Sequence, residues 1–146
     1  MTIQSIGVMS PGSMGQAIAQ QLKRNGFAVH TALDGRSERS RALAAEAGIN
    51  DLGTLDRLAA QCDVILSIMN PGAALEFAQA MAAAIRRAGT QPLVVDCNAI
   101  APTTMQAVHE IITATGALSR RRHVQPAATR WCARSPVRLG PRRRSA

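Results

Sequence analysis

Two glycines three residues apart, Gly12 and Gly15, follow an apolar run in the string IGVMSPGSMGQAIAQQL. With Ser10, Pro11, Ser13 and Met14 they fill the places of a GxGxxG turn, Ser10 standing where the first glycine is usual. Such a turn carries phosphate chemistry. A residue without a Cβ at position 12 lets the backbone come close to an anion. Gly15 lets the next helix pack tightly on the preceding strand, and the first N–H groups of that helix face a diphosphate. The departure at Ser10 is partly offset by Pro11, whose ring holds φ at about −65°.

A second group, Asp34, Gly35, Arg36 and Ser37, lies where the next strand should end, at the place of a dinucleotide's adenosine ribose. An acidic residue there receives the ribose hydroxyls of NAD, and an arginine pairs with the 2′-phosphate of NADP. Both types are present. A guanidinium fork beside a small hydroxyl suits a phosphate dianion, so NADP is the favoured cofactor and NAD the alternative. The competing assignment makes Arg36 a solvated loop cation and Ser37 the N-cap of the following helix. Met69 and Asn70 close the apolar run VILSIM, where they would meet the cofactor's ribose or nicotinamide; alternatively, Asn70 and Pro71 only start a helix. Asn98, just after VVDC, faces the same rim as a candidate substrate contact.

These residues need strands and helices in strict alternation to bring them together. Apolar runs predict strands over Ile3–Met9, Phe27–Leu33, Ile49–Leu52, Val64–Met69 and Leu93–Asp96. Helical spacing and caps predict helices over Gln16–Asn25, Ser37–Ala47, Thr54–Gln61, Ala73–Ala88 and Pro102–Thr115. The expected fold is α/β: a Rossmann-type, doubly wound parallel sheet in the order 3-2-1-4-5, its site on the carboxyl rim.

Composition narrows the function further. A chain of 146 residues with 47% hydrophobic residues allows one domain with a proper core. Two Phe, one Trp and no Tyr leave little aromatic surface for stacking single-stranded nucleic acid. Cys62, Cys97 and Cys132 show no metal or redox spacing, and His30, His109 and His123 have no partner at ligand spacing, so no metal site is expected. No apolar run approaches the roughly 20 residues that cross a bilayer. With no signal-type segment at the N-terminus, a cytoplasmic location is expected.

The strings IGVMSPGSMGQAIAQQL, LDGRS, CDVILSIMNP and VVDCNAIAPTT together resemble the NADP-binding domain of the 6-phosphogluconate dehydrogenase and 3-hydroxyisobutyrate dehydrogenase superfamily. The resemblance covers residues 3 to about 117. It is nearest to NAD(P)-dependent oxidoreductases whose second domain is a phosphogluconate-dehydrogenase-like helical domain. It implies that the Ser10–Gly15 turn holds the pyrophosphate, that Gly35, Arg36 and Ser37 match the segment at the adenosine phosphate, and that Met69 and Asn70 match the ribose loop. It also implies a small hydroxyacid substrate, a glycine-rich substrate segment after the next strand and a catalytic lysine beyond it. Neither feature has a counterpart here, and no lysine follows Lys23. No catalytic residue is therefore carried over, and the chain alone is expected to be inactive.

The net charge of +8 is unevenly spread. Residues 1–117 carry eight Lys or Arg and all nine acidic residues, whereas 118–146 carry nine arginines and no acid. That tail has neither helical nor strand periodicity and is expected to be disordered. The favoured account is a truncated product, its coding sequence shifted out of frame near Ala117. Loss of a sixth strand and a second domain would then expose apolar surface and favour self-association. The alternative is a non-catalytic Rossmann-like module with a basic arm for nucleic acid or an anionic membrane surface.

Overall fold

The computed structural model describes residues 2–9 and 12–121. In chain order the elements are β1 (Ser5–Met9), α1 (Ser13–Arg24), β2 (Ala28–Thr31), α2 (Glu38–Glu46), β3 (Asn50–Asp51) and α3 (Leu55–Gln61). They continue with β4 (Val64–Ser67), a 3₁₀ turn (Pro71–Ala73), α4 (Ala74–Ala88), β5 (Leu93–Asp96), α5 (Pro102–Thr113) and β6 (Ser119–Arg121). The sheet order is β3-β2-β1-β4-β5-β6, every neighbouring pair parallel. The doubly wound order expected from the sequence is therefore present, extended by one strand.

β6 falls on Ser119–Arg121, inside the stretch where no strand was expected. Its pairing is a backbone matter: the Val94 N–H donates to the Leu118 carbonyl at 2.9 Å, and Val94, Val95 and Asp96 lie in register with Ser119, Arg120 and Arg121. An edge strand held this way needs no apolar alternation, which is why the arginine-rich composition hid it. The remainder of the expected basic tail, residues 122–146, lies outside the described residues. A smaller difference concerns α1, which starts at Ser13 rather than Gln16 because Gly12 serves as its N-cap.

Side-chain alternation builds a core on each face of the sheet. Ile6, Val8, Val29 and Val64 pack with Ala19 of α1 and Ala44 of α2 on one face. Met9, Ile65 and Val94 pack on the other with Leu58 of α3, Met81 and Ile85 of α4, and Ile112 of α5. Each large side chain fully buried in this way contributes roughly 1.5–3 kcal/mol. Gly7 in the central strand has a packing reason, since a Cβ there would come within 3.1 Å of Leu58 Cδ1. On the α1–α2 face, Leu66, Leu93 and Val95 remain half-buried, with Leu118 beside them 64% exposed.

Candidate functional site

The strand order reverses between β1 and β4, and a crevice at that reversal, outside the strands' carboxyl ends, is where doubly wound sheets bind ligands. α1 begins there. Its N-cap, Gly12, has extended backbone and supplies no side-chain hydrogen bond, and the first turn holds no acidic residue. The Gly12 carbonyl accepts the Gln16 N–H at 2.8 Å, opening the helical ladder. A Cβ on Gly12 would meet no heavy atom within 4 Å among the described residues, so their packing does not require glycine at this position. Gly15 is buried, whereas Met14 is 67% exposed and is not among the residues that line the two clefts described below. Ser10 and Pro11 lie outside the described residues.

The second candidate group sits on a tight turn after β2. The Arg36 N–H donates to the Leu33 carbonyl at 2.9 Å, and Gly35, third of the four residues, has φ +71°. That geometry belongs to glycine, because a Cβ is strained there. Neighbouring groups brace the turn. Asp51 Oδ1 accepts the N–H groups of Leu33 at 3.0 Å and Gly53 at 2.8 Å, and Arg41 donates to the Leu33 carbonyl at 3.1 Å while lying 3.9 Å from Asp51. Ser37 is the N-cap of α2, its Oγ accepting the Ser40 N–H at 3.3 Å. The capping role weighed for Ser37 is thus observed. Arg41 is committed to the brace, whereas neither Arg36 nor Arg39 has an ion pair among the described residues.

Two clefts meet at Arg36. The first, about 510 Å³, is lined by Met9, Ala32, Leu55, Met69 and Phe77, with Asp34 and Arg36 at the β2 end. Asp56 and Arg87 also line it but satisfy each other through bonds of 2.9 and 2.7 Å, and this pairing holds the Asp56 carboxyl below the usual carboxylate range. The second cleft, about 380 Å³, is bounded by Gly12, Ser13, Gln16, Arg36, Arg39 and Ser40, and among the described residues no carboxylate lines it. Gln16 Nε2 donates to the Leu43 carbonyl at 2.8 Å and joins α1 to α2 on that side. Spacing alone does not single out Gln16 or Arg39. Their contribution depends on how α1 and α2 lie together, although an arginine three residues after Arg36, in a helix's first turn, is a usable sequence signal.

Met69 lines the first cleft, while Asn70 is exposed at the head of the 3₁₀ turn. Asn70 Oδ1 accepts the Gly72 N–H at 3.0 Å, the helix-start role weighed for it. Asn98 is 5% exposed and its amide is occupied: Oδ1 accepts the Met69 N–H at 2.7 Å and Nδ2 donates to Ser67 Oγ at 3.0 Å. Asn98, two residues past the end of β5, is thus engaged with β4 and the loop after it, while Ser67 itself lies in register with Asp96. Asp96 Oδ1 accepts the Asn98 N–H at 2.8 Å, and Asp96 Oδ2 is buried without a partner among the described residues. No group of three His, Cys, Asp or Glu residues among the described residues could hold a metal ion, and no helix among them is long and apolar enough to cross a membrane.

Solved structures with the same architecture include a conserved protein of unknown function similar to 3-hydroxyacid dehydrogenases, at 28% identity and TM-score 0.63 over 80% of this chain and 41% of the other. Mycobacterium tuberculosis 3-hydroxyisobutyrate dehydrogenase with L-serine shares the fold at 20% identity and TM-score 0.67, covering 82% of this chain and 40% of that one. An imine reductase variant from Myxococcus stipitatus, in complex with NAD+, does so at 16% identity and TM-score 0.66, covering 83% and 40%. The chain thus spans about two fifths of the length of these structures. No curated protein matches it in sequence. Residues 5–119 match the NAD binding domain of 6-phosphogluconate dehydrogenase, and the chain belongs to that family.

Proposed function

We propose that this domain binds NADP(H) across the carboxyl ends of β1, β2 and β4, as the cofactor-holding part of a hydroxyacid dehydrogenase-like oxidoreductase. In this reading the α1 N-terminus takes the diphosphate through Gly12, Ser13 and the turn before them, including Ser10 and Pro11. Gly35 shapes the turn that carries Arg36, the adenine side occupies the 510 Å³ cleft, and the nicotinamide half lies toward Met69 and Asn70. The 2′-phosphate enters the second cleft between Arg36 and Arg39, away from Asp34, which lines only the first. Arg36 carries the reading, since it lines both clefts and has no ion pair among the described residues. Two guanidinium groups around one small cleft favour a phosphate dianion over ribose hydroxyls.

Bound NADPH supplies a hydride, and the residues described hold and orient it. An acid or base beside the nicotinamide and a substrate pocket are needed for turnover. We assign neither to this chain and expect no hydroxyacid turnover from it alone. The test is a titration of the full chain with NADPH and NADH. NADPH should bind more tightly, and Arg36→Ala should weaken NADPH by about tenfold or more while changing NADH by less than about threefold. Equal affinities, or an unchanged ratio in the variant, overturn the NADP assignment. The half-buried Leu66, Leu93 and Val95 beside exposed Leu118 further support self-association through that sheet face. Sedimentation across a concentration series tests this, and a constant monomer mass removes it.

A further inference from the structure

We infer that Asn98 is a positioning residue that fixes the Met69–Asn70 loop for the nicotinamide half of the dinucleotide without touching the ligand. The inference rests on the cofactor reading above and adds a role for a residue buried behind the site.

The observations form one connected network. Asn98, Ser67 and Asp96 are each more than nine-tenths buried, at the carboxyl ends of two adjacent strands. Asp96 Oδ1 holds the Asn98 N–H at 2.8 Å, and the Cys97 N–H donates to the Ser67 carbonyl at 3.0 Å, so the start of the loop after β5 is anchored to both strands. From there the Asn98 carboxamide reaches across to β4. Its Nδ2 grips Ser67 Oγ, and its Oδ1 receives the Met69 N–H, the second residue past the end of β4. Met69 lies in the lining of the larger cleft. One residue on, the Asn70 side chain caps Gly72 and its carbonyl accepts the Ala73 N–H at 2.9 Å, delivering the chain into α4.

A carboxamide can do this because it offers a donor and an acceptor on one planar group. A carboxylate keeps the acceptor for Met69 but adds charge close to Asp96, and an aliphatic residue leaves both the Met69 N–H and the Ser67 hydroxyl buried and unpaired. Among the described residues the side-chain bonds of the network run to the β4 loop, and none runs to the turn of Arg36 or to the first turn of α1. Loosening it should therefore damage one half of the dinucleotide's binding and spare the other.

The probes are NADPH and adenosine 2′,5′-bisphosphate, which keeps the adenosine with its 2′- and 5′-phosphates but lacks the nicotinamide mononucleotide half, the second phosphate of the diphosphate included. Both are titrated against the full chain and its Asn98→Ala and Ser67→Ala variants, with folding checked by circular dichroism. In Asn98→Ala, NADPH should weaken about tenfold and the bisphosphate less than about twofold. Ser67→Ala removes only the Nδ2 anchor and should fall between the unaltered chain and Asn98→Ala. If both ligands weaken alike, Asn98 is only structural and the inference fails; it also fails if neither changes in both variants. Should Asn98→Ala not fold, Ser67→Ala decides by the same ratio. If the unaltered chain binds neither probe, the cofactor reading itself falls and takes this inference with it. Binding of NADPH by the unaltered chain with an unshifted ratio overturns the inference alone.

Discussion

At Gly12 the demands of folding and those of the proposed dinucleotide binding can be told apart. Its backbone, at φ −71° and ψ −178°, is open to any residue, and a Cβ there would meet no atom within 4 Å among the described residues. Gly12→Ala should therefore cost less than about 1 kcal/mol of stability, the difference between these residues as N-caps. The same methyl group would stand where a diphosphate approaches the first turn of α1, so NADPH affinity should drop by about tenfold or more. Paired thermal melts and titrations check this, and an unchanged affinity would remove the diphosphate from this helix. Residue types and spacing alone made Gly12 and Arg36 candidates in the sequence, although for Arg36 a solvated loop cation fitted the same spacing. The partners of Asn98 were not legible for a physical reason: a residue just past a strand end can face the rim or turn inward, and its amide is engaged by the Ser67 hydroxyl on a strand 31 residues earlier in the chain.

At the scale of elements, β1 is the strand against which the rest is set, paired with both β2 and β4. It has to be narrow on the side that meets α3. Gly7 provides this, with Leu58 packed at a distance that leaves little room for a side chain. Gly7→Val would drive a branched side chain into Leu58, which is fully buried. The expected cost is about 1–3 kcal/mol, measured as a lower denaturant midpoint at unchanged slope. A midpoint equal to that of the unaltered chain would show that α3 can shift away from the sheet. Apolar runs and caps made β1, β2, β4, β5 and the five helices legible, since a strand buried on both faces and a capped helix each leave a pattern along the chain. β6 left none. Three residues joined by backbone bonds to an edge do not depend on which side chains they carry.

Across the whole molecule, two segments far apart in sequence are tied at the amino end of the sheet by Asp63, whose Oδ2 accepts the N–H groups of Gln4 at 2.9 Å and Ser5 at 3.0 Å. The Gln4 bond, then the Ser5 bond, holds the Asp63 carboxyl below the ordinary carboxylate range. Asp56 is lowered in the same direction by Arg87, which joins α3 to α4. In the unfolded chain both groups return to ordinary values of about 4, so the unfolded state binds more protons in acid than the folded state does. The stability they contribute is complete above the unfolded value and is lost as pH falls through the lower folded one. The denaturant midpoint should accordingly fall between about pH 5 and pH 3. Asp63→Asn keeps one acceptor and removes the charge. It should cost on the order of 1 kcal/mol at pH 7, the net worth of a solvent-screened hydrogen bond, and progressively less as the medium is acidified. Midpoints of the two proteins should therefore converge toward pH 3. Parallel curves over that range would mean that the carboxylate's charge contributes nothing to holding β1 against the start of β4, and that backbone pairing alone sets the sheet's first contact.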